Sequence, residues 1–209
     1  MMMRYLQNLG RSLMLPVAVL PAAAVLMGIG YWIDYDGWGE GNIVAAFLIS
    51  AGSAILDFLP VLFAVGVAVG MAKERDGAAA LAGLVGYLVL TTILSTDNVA
   101  MLQGSEPDSV NAAFGNIDNV FVGIISGLIA AAMYNRFSKT TLPDALAFFS
   151  GRRLVPIMTA ATMLVISLVL LFVWPYAYGG LVAFGTAISE LGSFGAGLYG
   201  FFNRLLIPT

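Results

Sequence analysis

Long apolar runs constrain the fold of this chain more than any other feature. They cover residues 13–33, 43–72, 78–94, 120–134 and 154–174, and all but one lack charged residues. About 20 apolar residues in an α-helix cross the roughly 30 Å hydrocarbon core of a bilayer. With 60% hydrophobic and 10% charged residues, against about 25% charged in soluble domains, one soluble core cannot hold these runs. They predict an all-α membrane protein with about five transmembrane helices.

The first run has a second interpretation. Arg4 and Arg11 precede it, and the small residues at 21–24 are typical of a signal-peptide cleavage site. The run continues past this point to the length of a full bilayer span, which favours a retained helix. Pro16 and Pro21 predict a kink in that helix, which a neighbouring helix can accommodate.

Asp57 is one of the few ionisable residues inside an apolar run. Its run, 43–72, is longer than one crossing needs and also contains Pro60, so we expect a broken or tilted helix. A carboxylate at this depth must face a cavity, a partner or water. Asp57 is therefore a candidate substrate-binding residue. The alternative is that it caps the N-terminus of the second half-helix.

Arg204 is the second candidate, and it is the only basic residue after Arg153. The glycine- and aromatic-rich segment before it, 195–203, suits a re-entrant hairpin that lines a polar cavity. A guanidinium there can donate several hydrogen bonds to sugar hydroxyls or to a phosphoryl group. The alternative is an interfacial anchor that reaches lipid headgroups. For Glu190 we expect a loop or interfacial position.

The charged residues segregate between alternate loops of this topology. One side carries basic residues, namely Arg4, Arg11, Lys73, Arg75, Arg136, Lys139, Arg152 and Arg153. The other side carries acidic residues, namely Asp34, Asp36, Glu40, Asp97, Glu106, Asp108 and Asp118. The positive-inside rule makes the first side cytoplasmic. We therefore predict a cytoplasmic N-terminus, with 34–42 and 95–119 in the periplasm.

Packing between helices is indicated by two small-xxx-small patterns, Gly66 with Gly70 and Gly123 with Gly127. Such patterns let helix backbones approach closely in lipid. We expect them to pack helices within the chain, and a subunit interface is the alternative.

Composition excludes several classes of chemistry. The sequence has no histidine and no cysteine, which rules out disulfides, imidazole bases and cysteine nucleophiles. It has no phosphate-binding glycine loop and no metal-ligand cluster, so we expect no cofactor, no metal and no catalytic residue in the chain. A net charge of −3 argues against nucleic acid as a partner. The residues alone indicate a transporter or channel, with an inert membrane scaffold as the alternative.

Four segments, spread in order over nearly the whole chain, resemble one family. They are residues 15–21, 62–83, 142–157 and 200–209. They resemble the membrane (C) domain of enzyme II, called EIIC, of the bacterial phosphoenolpyruvate:sugar phosphotransferase system, glucose/N-acetylglucosamine branch. The ending 202–209 is most similar to the N-acetylglucosamine permeases, with Asn203 where glucose permeases tend to carry an acidic residue.

The resemblance implies a function in the bacterial inner membrane. Such permeases import N-acetylglucosamine or glucose while phosphorylating it, with the phosphoryl group arriving on a cysteine of the EIIB domain. It further implies a homodimer, a scaffold over 1–178 and the beginning of the substrate-binding half over 179–209. Asn203 and Arg204 are then expected to bind the sugar.

The family pattern continues Gly-Leu-His after Thr209. We therefore expect the 209 residues to stop before the site histidine and a later glutamate, and to be inactive alone as a phosphotransferase. The alternative is a non-transporting scaffold or regulatory fragment derived from the same fold.

Overall fold

The computed structural model describes residues 2–35, 41–190 and 197. Its helices are α1 Met2–Val17, α2 Leu20–Ile33, α3 Ile43–Asp57, α4 Leu59–Met71, α5 Gly77–Ile93, α6 Thr96–Gln103, α7 Val120–Phe137 and α8 Leu154–Glu190. Short 3₁₀ turns lie at Pro107–Ser109, Phe114–Asn116, Asp144–Phe149 and Gly151–Arg153. Three helical stretches are long and apolar enough to cross a membrane, or up to five if each bent pair of helices is one span. The prediction of an all-α membrane protein is confirmed.

Large apolar side chains on the outside of the helices fit this assignment. Trp32, Phe47 and Phe172 are 83%, 72% and 71% exposed. In water such exposure would carry a large hydrophobic cost, whereas in a bilayer these rings contact lipid.

The chain forms two compact units. The first comprises α1 to α5, α7 and the beginning of α8. The second comprises α6, the turns at Pro107–Ser109 and Phe114–Asn116, and the rest of α8. Within the second unit the buried Trp174 indole donates a hydrogen bond of 2.7 Å to the Ala113 carbonyl. This bond holds the turn region against α8.

Helix α4 is the centre of the first unit, where it contacts α1, α5 and α7. A Cβ added at Gly83 of α5 or Gly127 of α7 would lie 2.6 Å from the Ala64 carbonyl oxygen of α4. Real Cβ contacts are longer than 3.0 Å, so only glycine permits this approach. Gly123 meets the Pro60 carbonyl of α4 in the same way.

The crossing of α1 over α4 uses the other glycine pair. Gly66 contacts Pro16, and Gly70 contacts Ser12. Both small-xxx-small patterns thus pack helices within the chain, as we expected.

The first apolar run differs from its predicted bounds, because its helix begins at Met2 and not at 13. Hydropathy leaves the residues before 13 out of the span, because it does not detect the first, amphipathic turns of a helix. At the predicted proline kink the helix is interrupted between Val17 and Leu20, while the stretch Tyr5–Ile33 still forms one candidate span. Pro21 has no N–H to donate back to Val17.

The second run is broken as predicted. Its two helices, α3 and α4, meet at a bend of 51°. Pro60 lies in the first turn of α4, where its missing N–H removes no helical hydrogen bond.

Two segments predicted as non-helical contain helix. Residues 96–103 of the expected polar loop form α6, which ends at Gly104 with a φ of 63°, a backbone conformation that favours glycine.

The last helix, α8, continues 16 residues beyond the predicted end at 174 and contains Pro175. The apolar run ends at 174, but a helix tolerates the following proline at the cost of one hydrogen bond and a local distortion. Glu190 is the last residue of this helix and does not lie in a loop, and the interfacial position that we expected as the alternative stays a prediction.

Candidate functional site

A network of ion pairs joins two loops at one end of the first unit. Arg152 donates from Nη2 to Glu74 Oε2 at 2.6 Å and from Nε to Asp76 Oδ2 at 2.9 Å. Lys139 Nζ lies 3.2 Å from the other Glu74 oxygen. The Tyr134 hydroxyl donates to Asp76 Oδ2 at 2.6 Å. The carboxylates of Glu74 and Asp76 therefore bind one side chain of α7 and two of the connector between α7 and α8.

Asp76 also begins α5. Its Oδ1 accepts hydrogen bonds from the Ala78 and Ala79 amides at 3.0 and 3.3 Å, which is an N-cap. Partial burial opposes ionisation, but the bonds from Tyr134 and these amides, together with Arg152, hold the pKa of Asp76 below its usual value. The carboxylate is therefore held in its charged form by four donor contacts.

Glu74 lies at the exposed rim of the network. Hydrogen bonds from Lys139 and Arg152 lower the pKa of Glu74. The same bond to Glu74, followed by the charge of Asp76, raises the pKa of Arg152. These exposed pairs contribute little to stability individually, but as a network they define the register of the two loops.

An amide side chain provides a second tie between the same loops. Asn135 accepts from the Lys73 amide at 2.7 Å and donates to the Met71 carbonyl at 3.1 Å. The Met71 carbonyl is one of the unsatisfied groups at the end of α4. Asn135 thus caps α4 from the end of α7.

The clustering of basic residues at one end agrees with the topology predicted from charge. Lys139 and Arg152 meet the 72–77 loop directly. Arg11 of α1 and Arg75 line one cavity. Three separate basic segments therefore share one end of the first unit, as the alternating count of spans requires.

A different contact fixes the start of α7. The hydroxyl of the buried Tyr87 on α5 donates a hydrogen bond to Asp118. The next residue, Asn119, caps α7 by accepting from the Val122 amide at 3.0 Å. Asp118 is therefore a positioning group between α5 and α7.

Of the three substrate-binding residues predicted from the sequence, the structure describes only Asp57. Asp57 is the exposed last residue of α3, at the bend before α4. The N-cap residue of α4 is Phe58, and no side chain caps that helix, so the capping interpretation of Asp57 is wrong. Asn203 and Arg204 lie outside the described residues, and all three substrate assignments stay predictions. Within the described ranges no cluster of three or more acidic side chains is arranged to hold a metal ion.

Sequence reasoning missed the network of Glu74, Asp76 and Arg152. Arg152 is 76 positions from Asp76 and 78 from Glu74 along the chain, and several other carboxylates could have paired with it. The available signal was charge complementarity between two loops expected on the same side of the membrane.

The network predicts a pH dependence of stability that Asp76→Asn should abolish in part. Because the folded-state pKa of Asp76 lies below its usual value of 3.8, its charged form stabilises the fold above that value. This contribution is lost as pH falls through the folded-state pKa. At pH 7 we expect Asp76→Asn to cost about 1 kcal/mol, and the difference from wild type to shrink as pH falls below 3.8 and through the lower folded-state pKa. Thermal unfolding in detergent measures it.

The matched control is Asp144→Asn, because Asp144 is exposed, lies in the connector between α7 and α8 that carries Arg152, and is outside the network. We expect this control to follow the wild-type pH profile. A difference between Asp76→Asn and wild type that stays constant from pH 7 to pH 3 would contradict the electrostatic assignment.

Comparison with known proteins places the chain in a family. The family Phosphotransferase system, EIIC, matches residues 10–209. The N-acetylglucosamine-specific EIICB component of Bacillus subtilis strain 168 is 42% identical, over 99% of this chain and 41% of its own length. The corresponding EIICBA component of Escherichia coli K12 is 43% identical, over 98% of this chain and 28% of its own length.

A third relative, the N-acetylglucosamine-specific EIIC component of Streptomyces coelicolor, is 42% identical, over 98% of this chain and 49% of its own length. The chain thus spans less than half the length of these relatives. The family match covers nearly every described helix, including the glycine contacts of α4 and the loops joined by Arg152. The chain belongs to the phosphotransferase system EIIC family of membrane domains.

Proposed function

We propose that this chain forms the N-terminal part of a permease that imports N-acetylglucosamine, or glucose, and phosphorylates it. The observation that carries the proposal is the EIIC match over residues 10–209. It is supported by relatives whose names specify N-acetylglucosamine and whose identity extends over nearly all of this chain. The proposed partners are the sugar and a phosphorylated EIIB domain, and the chain is proposed to act as a homodimer in the bacterial inner membrane.

The proposed reaction transfers a phosphoryl group from the EIIB cysteine to a sugar hydroxyl. A phosphorus–oxygen bond forms, the phosphorus–sulfur bond breaks, and the hydroxyl proton passes to a base. The 209 residues contain no histidine, whereas the resemblance implies a histidine and a glutamate at the sugar. We therefore propose that residues 1–178 are scaffold, that 179–209 begin the substrate-binding half, and that these 209 residues alone transfer no phosphoryl group.

For the sugar we propose N-acetylglucosamine over glucose, with Asn203 as the discriminating residue. A side-chain amide both donates to and accepts from an acetamido group, whereas a carboxylate only accepts. The test uses a chimera that joins residues 1–209 to the remainder of the B. subtilis N-acetylglucosamine component. In competition we expect N-acetylglucosamine phosphate to predominate, and Asn203→Asp to shift the ratio toward glucose. An unchanged ratio in Asn203→Asp would refute the assignment of this residue.

The orientation is also a proposal, with the N-terminus and the end bearing Arg152 in the cytoplasm. The chain has no native cysteine, so single cysteines report position cleanly. A membrane-impermeant thiol reagent should label Gly37→Cys and Ser105→Cys in intact cells and spare Ser138→Cys. The control is Ser138→Cys after permeabilisation, which should then be labelled. Labelling of Ser138→Cys from outside intact cells would invert the proposed topology.

A further inference from the structure

A cavity of about 380 Å³ lies between α1 and the C-terminal end of α4. Its polar lining includes Asn8, Arg11 and Arg75, and its apolar lining includes Leu15 and Ala18. All of these residues belong to the first unit. The sugar chemistry proposed above uses none of them.

The two arginines of this cavity have no ion pair among the described residues. Arg152, by contrast, contacts two carboxylates. Both arginines line the same cavity, and a bound anion would pair with their positive charges. Guanidinium groups also match the geometry of phosphate oxygens by forked hydrogen bonding. The charge of the cavity therefore favours a phosphate group.

The lining changes from polar to apolar along α1. Asn8 and Arg11 form one end, and Leu15 and Ala18 lie one to two turns further on. At 1.5 Å per residue, Arg11 and Ala18 are about 10 Å apart along the helix axis. This gradient matches a molecule with a charged head and an apolar chain. A soluble phosphate ester would leave the apolar part of the cavity without a ligand group.

Helix packing, and not a loop, builds the cavity. Gly70 of α4 lies against Ser12 of α1, and both contribute to the lining. Ser12 is buried, and its hydroxyl donates to the Asn8 carbonyl at 2.7 Å. The α1–α4 crossing thus sets the position of the Arg11 backbone relative to the end of α4, where the chain leaves the apolar span at Met71.

We propose that this cavity binds an anionic phospholipid, with the phosphate between Arg11 and Arg75 and an acyl chain along Leu15 and Ala18. Basic pockets between transmembrane helices bind anionic headgroups in this way. The site is independent of the proposed sugar transport. Lipid binding can therefore fail while transport succeeds, and the reverse.

The experiment measures lipid binding to the purified 209-residue chain in a zwitterionic detergent by native mass spectrometry. The probes are phosphatidylglycerol and phosphatidylcholine with identical acyl chains. We expect wild type to bind phosphatidylglycerol at least about ten-fold more tightly, with the preference falling as salt rises. Arg11→Gln combined with Arg75→Gln should weaken phosphatidylglycerol about thirty-fold and leave phosphatidylcholine unchanged.

The matched control is Arg136→Gln, because Arg136 is an exposed arginine in the last turn of α7 and does not line the cavity. It should stay within about two-fold of wild type. If the double glutamine variant does not fold, Arg11→Lys with Arg75→Lys keeps both charges and should retain most of the preference.

Three results would overturn the proposal. The first is equal binding of the two lipids by wild type, and the second is unchanged phosphatidylglycerol binding in the folded double glutamine variant. The third is displacement of phosphatidylglycerol by millimolar inorganic phosphate, which would identify a site for soluble phosphate.

Discussion

Replacing Gly127 by leucine should destabilise the fold by more than about 3 kcal/mol. The position on α7 contacts the backbone of α4, where an added Cβ would lie 2.6 Å from the Ala64 carbonyl oxygen and 2.7 Å from Val67 Cβ. A carbonyl oxygen within a helix cannot move aside as a flexible side chain can. The two helices must therefore separate, and α4 also contacts α1 and α5.

The expected cost exceeds the range of about 1–3 kcal/mol that is typical of overpacking, because leucine adds three more carbons beyond Cβ. Against a stability of about 5–15 kcal/mol, a cost above 3 kcal/mol shifts the unfolding equilibrium by more than about 100-fold. The measurement is the yield of monodisperse protein by size-exclusion chromatography, followed by unfolding in sodium dodecyl sulfate.

Gly28→Leu is the control, since a Cβ at that exposed glycine of α2 meets nothing within 4 Å. It adds the same side chain to an apolar helix without a backbone contact. Equal yields of Gly127→Leu and Gly28→Leu would show that the α4–α7 contact does not determine the fold.

Replacing Arg204 by lysine should strongly weaken sugar binding by the chimera with the B. subtilis remainder. A guanidinium in a polar cavity holds its partners through forked hydrogen bonds that an ammonium group cannot reproduce. Loss of one charged hydrogen-bonding group costs about 1.5–3 kcal/mol, which is roughly ten- to a hundred-fold in affinity. An interfacial anchor needs only a long stem and a positive charge, so lysine would replace it without loss.

Equilibrium binding of labelled N-acetylglucosamine to purified chimera measures this effect, with membrane insertion checked in parallel. Arg136→Lys is the control, because it makes the same exchange at an exposed position of α7. Binding by Arg204→Lys within about two-fold of the parent would contradict the site role and favour the anchor.

The sequence was most informative where one residue type has one physical consequence. Pro60 predicted the break between α3 and α4 because proline lacks an N–H. Gly123 and Gly127 predicted a close helix contact because glycine has no side chain. The hydropathy runs predicted the spans because the bilayer sets a minimum length.

Prediction from hydropathy failed where single residues, a proline or a helix cap, decide whether a segment is helical. Pro175 is compatible with a kinked helix as well as with a helix end, and hydropathy does not separate the two. Helix α6 carried a signal that hydropathy also ignores, namely Ser95 before its first turn and Gly104 after its last. Weighing those two residues would have placed a helix in the polar loop.

The sequence likewise predicted one part of the candidate site and not the rest. The expectation that basic residues share one end follows from a rule about whole loops, and the structure supports it. The pairing of Arg152 with Glu74 and Asp76 depends on side-chain positions that the sequence does not specify. The cavity of Arg11 and Arg75 likewise exists only through the α1–α4 crossing.

The most direct test of the proposed function is sugar import into sealed membrane vesicles containing the chimera. The vesicles contain phosphoenolpyruvate and the soluble phosphoryl carriers, and labelled N-acetylglucosamine is added outside. We expect the label inside to be sugar phosphate, its amount to depend on phosphoenolpyruvate, and vesicles with residues 1–209 alone to form none. Accumulation of free sugar, or no sugar phosphate from a chimera that inserts normally, would contradict the proposal, the second result favouring a non-transporting scaffold.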